Sequence, residues 1–228
     1  MKYYKSTFLV LIFLYSCQPS LYRTEKISQV DNQLNNTINN LYQKLELDGQ
    51  LEFKIFRMAM VGFHHIDIPN KSVISIIDYS LPSTEKRFYL IDLVDKKLLY
   101  NTYIAHGVNS GENVATVFSN VPESRISSIG FFVTAESYMG SNGYSLRIDG
   151  IEKSINHNAR KRDIVIHKAD YVSDAFIEQE GRLGRSWGCP ALPNDVSHDI
   201  IDIIKEGTCI FVYGDDPSYL EKSNYIEK

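Results

Sequence analysis

Three cysteines in 228 residues are too few for a disulfide framework, and no Cys and His spacing in the chain matches a zinc site. A cationic excess is also missing, since 24 Lys and Arg face 28 Asp and Glu for a formal charge of −4. A surface that tracks phosphates normally carries surplus Lys and Arg, so no nucleic-acid partner is expected. No apolar run reaches the ~20 residues of a comfortable bilayer span, and no internal repeat points to a solenoid. What remains is a chain rich in Tyr, Phe and β-branched residues, long enough to bury one sizeable core.

The first residues carry an address. Lys2 and Lys5 precede an almost wholly apolar stretch, Phe8 to Tyr15, and Leu14-Tyr15-Ser16-Cys17 reads as a lipobox. The expectation is a lipoprotein signal peptide over 1–16, with Cys17 lipidated as the mature N-terminus and holding the chain to a membrane. Each acyl methylene inserted into lipid contributes about 0.8 kcal/mol, so several chains anchor firmly. Ordinary secretion and an uncleaved anchor are the alternatives. Cleavage removes two lysines and no acid, which lowers the formal charge from −4 to −6. Residues 17–30 are polar and are expected to form a tether.

Over residues 31–70 the apolar positions recur at helical intervals, as in Leu34, Ile38, Leu41 and Leu45, then Phe53, Phe56 and Met60. Two helices with a break at Asp48-Gly49 follow from that pattern. From Val73 the pattern changes to short β-rich runs at 73–77, 87–92, 97–105, 130–134, 144–148, 163–167 and 208–213, each bounded by turn residues. One amphipathic helix, 195–205, interrupts them, capped by Asn194 or Asp195 and stopped by Gly207. The expected fold is mainly β with α additions: a β-sandwich or barrel core over 71–216, preceded by N-terminal helices and followed by a tail, 217–228. Arg160-Lys161-Arg162 is answered by Asp163 and reads as a solvated turn.

The chemistry concentrates in Gly181-Arg-Leu-Gly-Arg-Ser-Trp-Gly-Cys-Pro190, which follows His167 at the end of the apolar run Ile164-Val165-Ile166. A thiol with a pKa of roughly 8.5 is mostly protonated at neutral pH, so a nucleophilic cysteine needs a base. His167 is the best-placed base for Cys189. Gly188 lets the chain turn before the sulfur, and amides at Trp187, Gly188 and Cys189 then suit one oxyanion. Ser186 either bonds the base or holds the turn. Cys189 as a buried small hydrophobe and His167 as a core histidine is the competing reading. Cys209 lies in an apolar strand run and is expected to be core, with a Cys189 to Cys209 disulfide as the alternative.

His167 followed by Ser186-Trp187-Gly188-Cys189 resembles the murein L,D-transpeptidase catalytic-domain family, a YkuD-like branch. The resemblance extends in order through Asp78–Phe88, Ala105–Gly107, Asn109–Gly111, Phe118–Asn120, Gly143–Leu146 and Asn158–Arg160. It implies an L,D-transpeptidase-like β-rich core and acyl transfer on peptidoglycan stem peptides through a Cys189 thioester, forming L,D crosslinks in the cell envelope. No metal or organic cofactor is required, and a monomer is expected. Departures from the family pattern are Lys168 after the histidine, Trp187 for a second histidine, and Pro190-Ala191 where an arginine-containing segment is usual. Arg182 and Arg185 are therefore candidates to bind a substrate carboxylate, joined by His106 and Tyr144 as possible cleft residues. L,D-carboxypeptidase or crosslink-hydrolase activity with the same pair, and a noncatalytic wall-binding lipoprotein, are the alternatives.

Overall fold

The computed structural model describes residues 19–226, with side chains from residue 32; Cys17 and the expected signal peptide lie outside the described residues. Helix α1 (Pro19–Lys44) opens on proline, which loses no intrahelical donor at that position. Compactness divides the chain between Thr37 and Ile38. Upstream, the described backbone is helical from Pro19, within the stretch expected to be a polar tether. In the larger unit, α1 buries Ile38 and Tyr42, Leu45 is buried in the turn that follows, and α2 (Phe53–His65) buries Ile55, Phe56, Ala59 and Phe63. The break between the helices is pinned by Tyr42, whose hydroxyl donates to the Leu51 carbonyl at 2.6 Å while its ring meets Phe53 edge-on.

Eight strands follow: β1 (Val73–Asp78), β2 (Phe88–Asp92), β3 (Lys97–Thr102), β4 (Gly130–Gly140), β5 (Gly143–Gly150), β6 (Val165–Lys168), β7 (Ala191–Leu192) and β8 (Cys209–Tyr213). They form one sheet in the order β3-β2-β1-β8-β4-β5-β6-β7, antiparallel except at β1–β8 and β6–β7. Central β1 and β8 are buried along their whole length, which explains the unbroken apolar run of β8 and the apolar run of β1 interrupted only by Ser75 before Asp78; edge strand β3 stays half exposed. Beyond β3 the chain returns to the opposite edge, where Ala105 bridges Ala191 and Gly107 bridges Ser186. The sheet is thereby curled into a nearly closed barrel. This is the β-rich architecture read from the sequence.

Helices α3 (Asp174–Glu180) and α4 (Asn194–Ile204) and a terminal α5 (Pro217–Lys222) complete the fold. α4 buries Ile200, Ile201 and Ile204. Its cap position is Pro193, and Asn194, expected as a cap, is the first helical residue and donates to Asp170 at 2.6 Å. α3 and β7 were not anticipated: α3 buries no residue and β7 has two, so neither leaves a periodic signal. Cys209 is fully buried in β8 and carries a free thiol, as the strand pattern suggested.

Candidate active site

The parallel pairing of β6 with β7 sets His167 opposite Ala191, so Cys189 falls one strand over and two residues upstream of the imidazole. Both line one cleft of about 1570 Å3, together with Arg125, Arg162, Lys168, Tyr171 and Trp187. His167 is 5% exposed, and its Nδ1 lies 2.8 Å from the Lys168 carbonyl oxygen. A carbonyl only accepts, so Nδ1 carries the proton, and in the neutral ring Nε2 keeps its lone pair. Burial lowers the imidazole below the ordinary histidine pKa, and its bond to Lys168 only partly offsets this. Burial also raises the Cys189 thiol, against the pull of the Val165 amide and Arg162. Both shifts favour the uncharged pair at rest.

The turn that presents the sulfur is closed on itself. Ser186 Oγ donates to the Cys189 carbonyl at 2.6 Å and accepts the Gly188 amide at 3.0 Å. Ser186 therefore serves the turn, with no bond to the imidazole, and the Gly188 amide is withdrawn from the expected oxyanion set. Trp187 and Cys189 supply the remaining amides of that turn. Gly188 has φ +118°, and an added Cβ would stand 3.1 Å from the Ile126 carbonyl oxygen. Gly107 crosses beneath it so closely that a Cβ there would lie 2.9 Å from Gly188 Cα. Ser127 links the two backbones, accepting from the Gly107 amide at 2.9 Å and donating to the Gly188 carbonyl at 3.3 Å.

Four expected substrate contacts are relocated or already engaged. His106 is fully buried, takes a bond from Arg87 at 2.8 Å and faces the Gly111 carbonyl; it props a loop and does not line the cleft. Desolvation and the adjacent guanidinium push it down to about 4, which keeps it neutral. Tyr144 turns to α4, donating to Asp202 at 2.7 Å and stacking on His198. Arg182 pairs with Glu112 at 3.3 Å and stays outside the cleft lining. Arg185 does line the cleft, but it is engaged by Glu112 at 2.8 Å and by the Val108 and Gly111 carbonyls. Trp187 is 72% exposed at the rim, with the Arg125 guanidinium 4.4 Å above its ring centroid.

Sequence reasoning missed Arg162 and Ser127. The Arg160-Lys161-Arg162 segment is a single 3-10 turn, and its outer arginine, Arg160, does pair with acids, Asp149 at 2.7 Å and Glu136 at 2.9 Å. Arg162 instead points inward, so the solvated-turn reading fails for that residue. Charge counting could not separate two arginines two positions apart, because a 3-10 turn sends them to different sides. Among the described residues no three His, Cys, Asp or Glu side chains converge as metal ligands, and no helix is long and apolar enough to cross a membrane.

Residues 47–213 match the family model described as the L,D-transpeptidase catalytic domain. Among solved structures, an L,D-transpeptidase from Mycobacterium smegmatis aligns at 14% identity and TM-score 0.39, over 63% of this chain and 59% of that one. The helical cell shape determining protein Pgp2 from Campylobacter jejuni aligns at 13% identity and TM-score 0.42, over 71% of this chain and 52% of that one. An L,D-transpeptidase from Stackebrandtia nassauensis aligns at 12% and 0.38, over 79% and 77%. The chain thus spans under two thirds of the length of the first two. No functionally curated protein matches.

Proposed function

Since the chain belongs to the L,D-transpeptidase catalytic domain family, we propose that it is a cysteine acyltransferase acting on peptidoglycan stem peptides and forming L,D crosslinks. The observation that carries this reading is the delivery of His167 on β6 and of Cys189 in the turn leading into parallel β7 to one open cleft, with the imidazole Nδ1 turned to the Lys168 carbonyl. Cys189 Sγ attacks the carbonyl between an L-centre and a terminal D-residue while His167 Nε2 accepts the thiol proton. The Trp187 and Cys189 amides receive the oxyanion. Collapse of the tetrahedral intermediate breaks the C–N bond, His167 returns its proton to the departing D-amino acid, and a thioester remains. An acceptor amine from a second stem then attacks the thioester, gives its proton to His167, and expels the sulfur, which recovers that proton. With water as acceptor the same residues give a carboxypeptidase.

The near-neutral resting pair supports proton transfer during attack rather than a stored ion pair, as expected where burial disfavours both charges. Work on stem peptides sets the protein in the cell envelope, with Cys17 as its lipid anchor. Purified tetrapeptide muropeptides, incubated with the protein and read by mass, test the reading. Dimers lost in Cys189→Ala support it. Shortened stems assign carboxypeptidase activity instead, and unchanged stems with retained binding leave a wall-binding lipoprotein.

A further inference from the structure

Arg162 is fastened from four sides against the floor of the nucleophile turn. Its Nη1 donates to the Ser119 carbonyl at 2.6 Å and to Ser128 Oγ at 2.5 Å; its Nη2 donates to the Ile126 carbonyl at 2.6 Å and to Ser124 Oγ at 3.2 Å. All four acceptors are neutral, and no carboxylate pairs with the guanidinium among the described residues. Nε is buried with no hydrogen-bond partner. Nη2 lies 3.5 Å from the point where a Cβ on Gly188 would stand, and Arg162 shares the cleft wall with Cys189. A cation held this rigidly by neutral groups, beside a sulfur, keeps its field for that sulfur.

We propose that Arg162 is a positioning residue for the nucleophile: a fixed countercharge under the turn that favours the thiolate of Cys189. This deepens the reading of Cys189 as nucleophile and rests on it. The other groups facing the sulfur do not supply that charge. Asp163 offers its backbone carbonyl 3.6 Å from Sγ, and its carboxylate opposes ionisation of the thiol. Tyr79 and Tyr171 are held protonated by burial, with Tyr171 pushed up to about 12. His167 is kept neutral by burial. Arg162 is thus the cation that works against desolvation at the sulfur, and the field is mutual, since the thiolate in turn favours charge on Arg162.

The pH profile of iodoacetamide alkylation tests this directly. The full chain is alkylated from pH 5 to 10, digested with trypsin, and read on the Ser186–Lys205 peptide, whose only cysteine is Cys189. In Arg162→Gln the thiol midpoint should rise by about one unit, slowing alkylation about tenfold at a fixed pH below the midpoint. Lys161→Gln should leave the profile in place. A folded Arg162→Gln with an unmoved midpoint overturns the proposal. Should that variant not fold, Arg162→Lys decides: a midpoint within about half a unit of wild type upholds a charge role, and a larger rise overturns it. No peptidoglycan enters this assay, so its failure is separate from that of the acyl-transfer reading, which falls if Cys189→Ala retains turnover.

Discussion

The imidazole of His167 is held by the carbonyl of its own neighbour, Lys168, through Nδ1 at 2.8 Å. No carboxylate is needed to fix the tautomer, and the identity of side chain 168 does not enter, because the contact is with backbone. The bond is therefore compatible with a lysine side chain at position 168.

His167→Gln is expected to lower acyl transfer at pH 7 by about 10²–10⁴, the usual contribution of a positioned acid-base group. Alkylation of Cys189 above the thiol midpoint should persist in the variant. Burial depresses the folded-state pKa below 6.5, so His167 is neutral at pH 7 and becomes charged only on acidification. The acid limb of the rate profile should therefore lie below about pH 6.5. A limb above pH 7, or full turnover in His167→Gln, contradicts a role as base.

Ser186→Ala removes the acceptor of the buried Gly188 amide and the donor to the Cys189 carbonyl. Stranding the amide should cost about 1–3 kcal/mol, seen as a melting temperature lower by roughly 2–4 °C per kcal/mol. Turnover should fall with it, because the sulfur loses its fixed presentation. A variant that melts and turns over like wild type would show that the turn holds without Ser186.

The elements that repeat were legible, and the side chains that bend the rules were not. α2 and the central strands carry runs long enough to declare their period. Cys189, Gly188 and His167 stand out as candidates in the sequence because a thiol, a turn-forming glycine and a strand-ending imidazole are each distinctive in type. His106 and Tyr144 misled because a histidine or tyrosine in a matched block looks the same whether it faces a cleft or fills a wall. Burial decides between these, and the groups around buried His106 include Arg87, nineteen positions away and itself fully buried, and Tyr79. Arg162 was hidden because its partners are mostly backbone carbonyls and serines from residues 119–128, which leave no complementary charge to notice.

His106 makes stability sensitive to acid. Its folded-state pKa is about 4 against an ordinary 6.5, so the unfolded chain binds the proton first. The stability linked to it is present above pH 6.5 and is lost as pH falls from 6.5 toward about 4. A shift of that size corresponds to a few kcal/mol, on the order of 3. Asp78 and Glu152, whose carboxyls burial raises, act in the opposite sense. The comparison must therefore be made between wild type and His106→Gln, in which the amide can still accept from Arg87. The drop in melting temperature from pH 7 to 4.5 should be smaller in the variant; equal drops would mean that His106 titrates alike in both states.

The last twelve residues are expected to matter to the sheet as well. Glu152 is 4% exposed, and three groups meet its carboxylate: the Phe131 amide at 2.7 Å, the Tyr219 hydroxyl at 3.1 Å, and the Ser223 hydroxyl. Two of the three come from α5 and the residue after it, and Tyr219 also packs its ring against Phe211 of β8. Deleting 217–228 would leave a buried carboxyl with one donor and uncover β8. Hydrogen bonds to a charged group contribute about 1.5–3 kcal/mol each, and burying a large side chain adds a similar amount, so a loss of at least about 3 kcal/mol follows. Glu152→Gln in the full chain should lose less, since the amide keeps acceptor capacity without the desolvated charge. Melting of the truncated chain within about 2 °C of the full chain would correspond to less than about 1 kcal/mol and would make the segment a dispensable tail rather than a clamp.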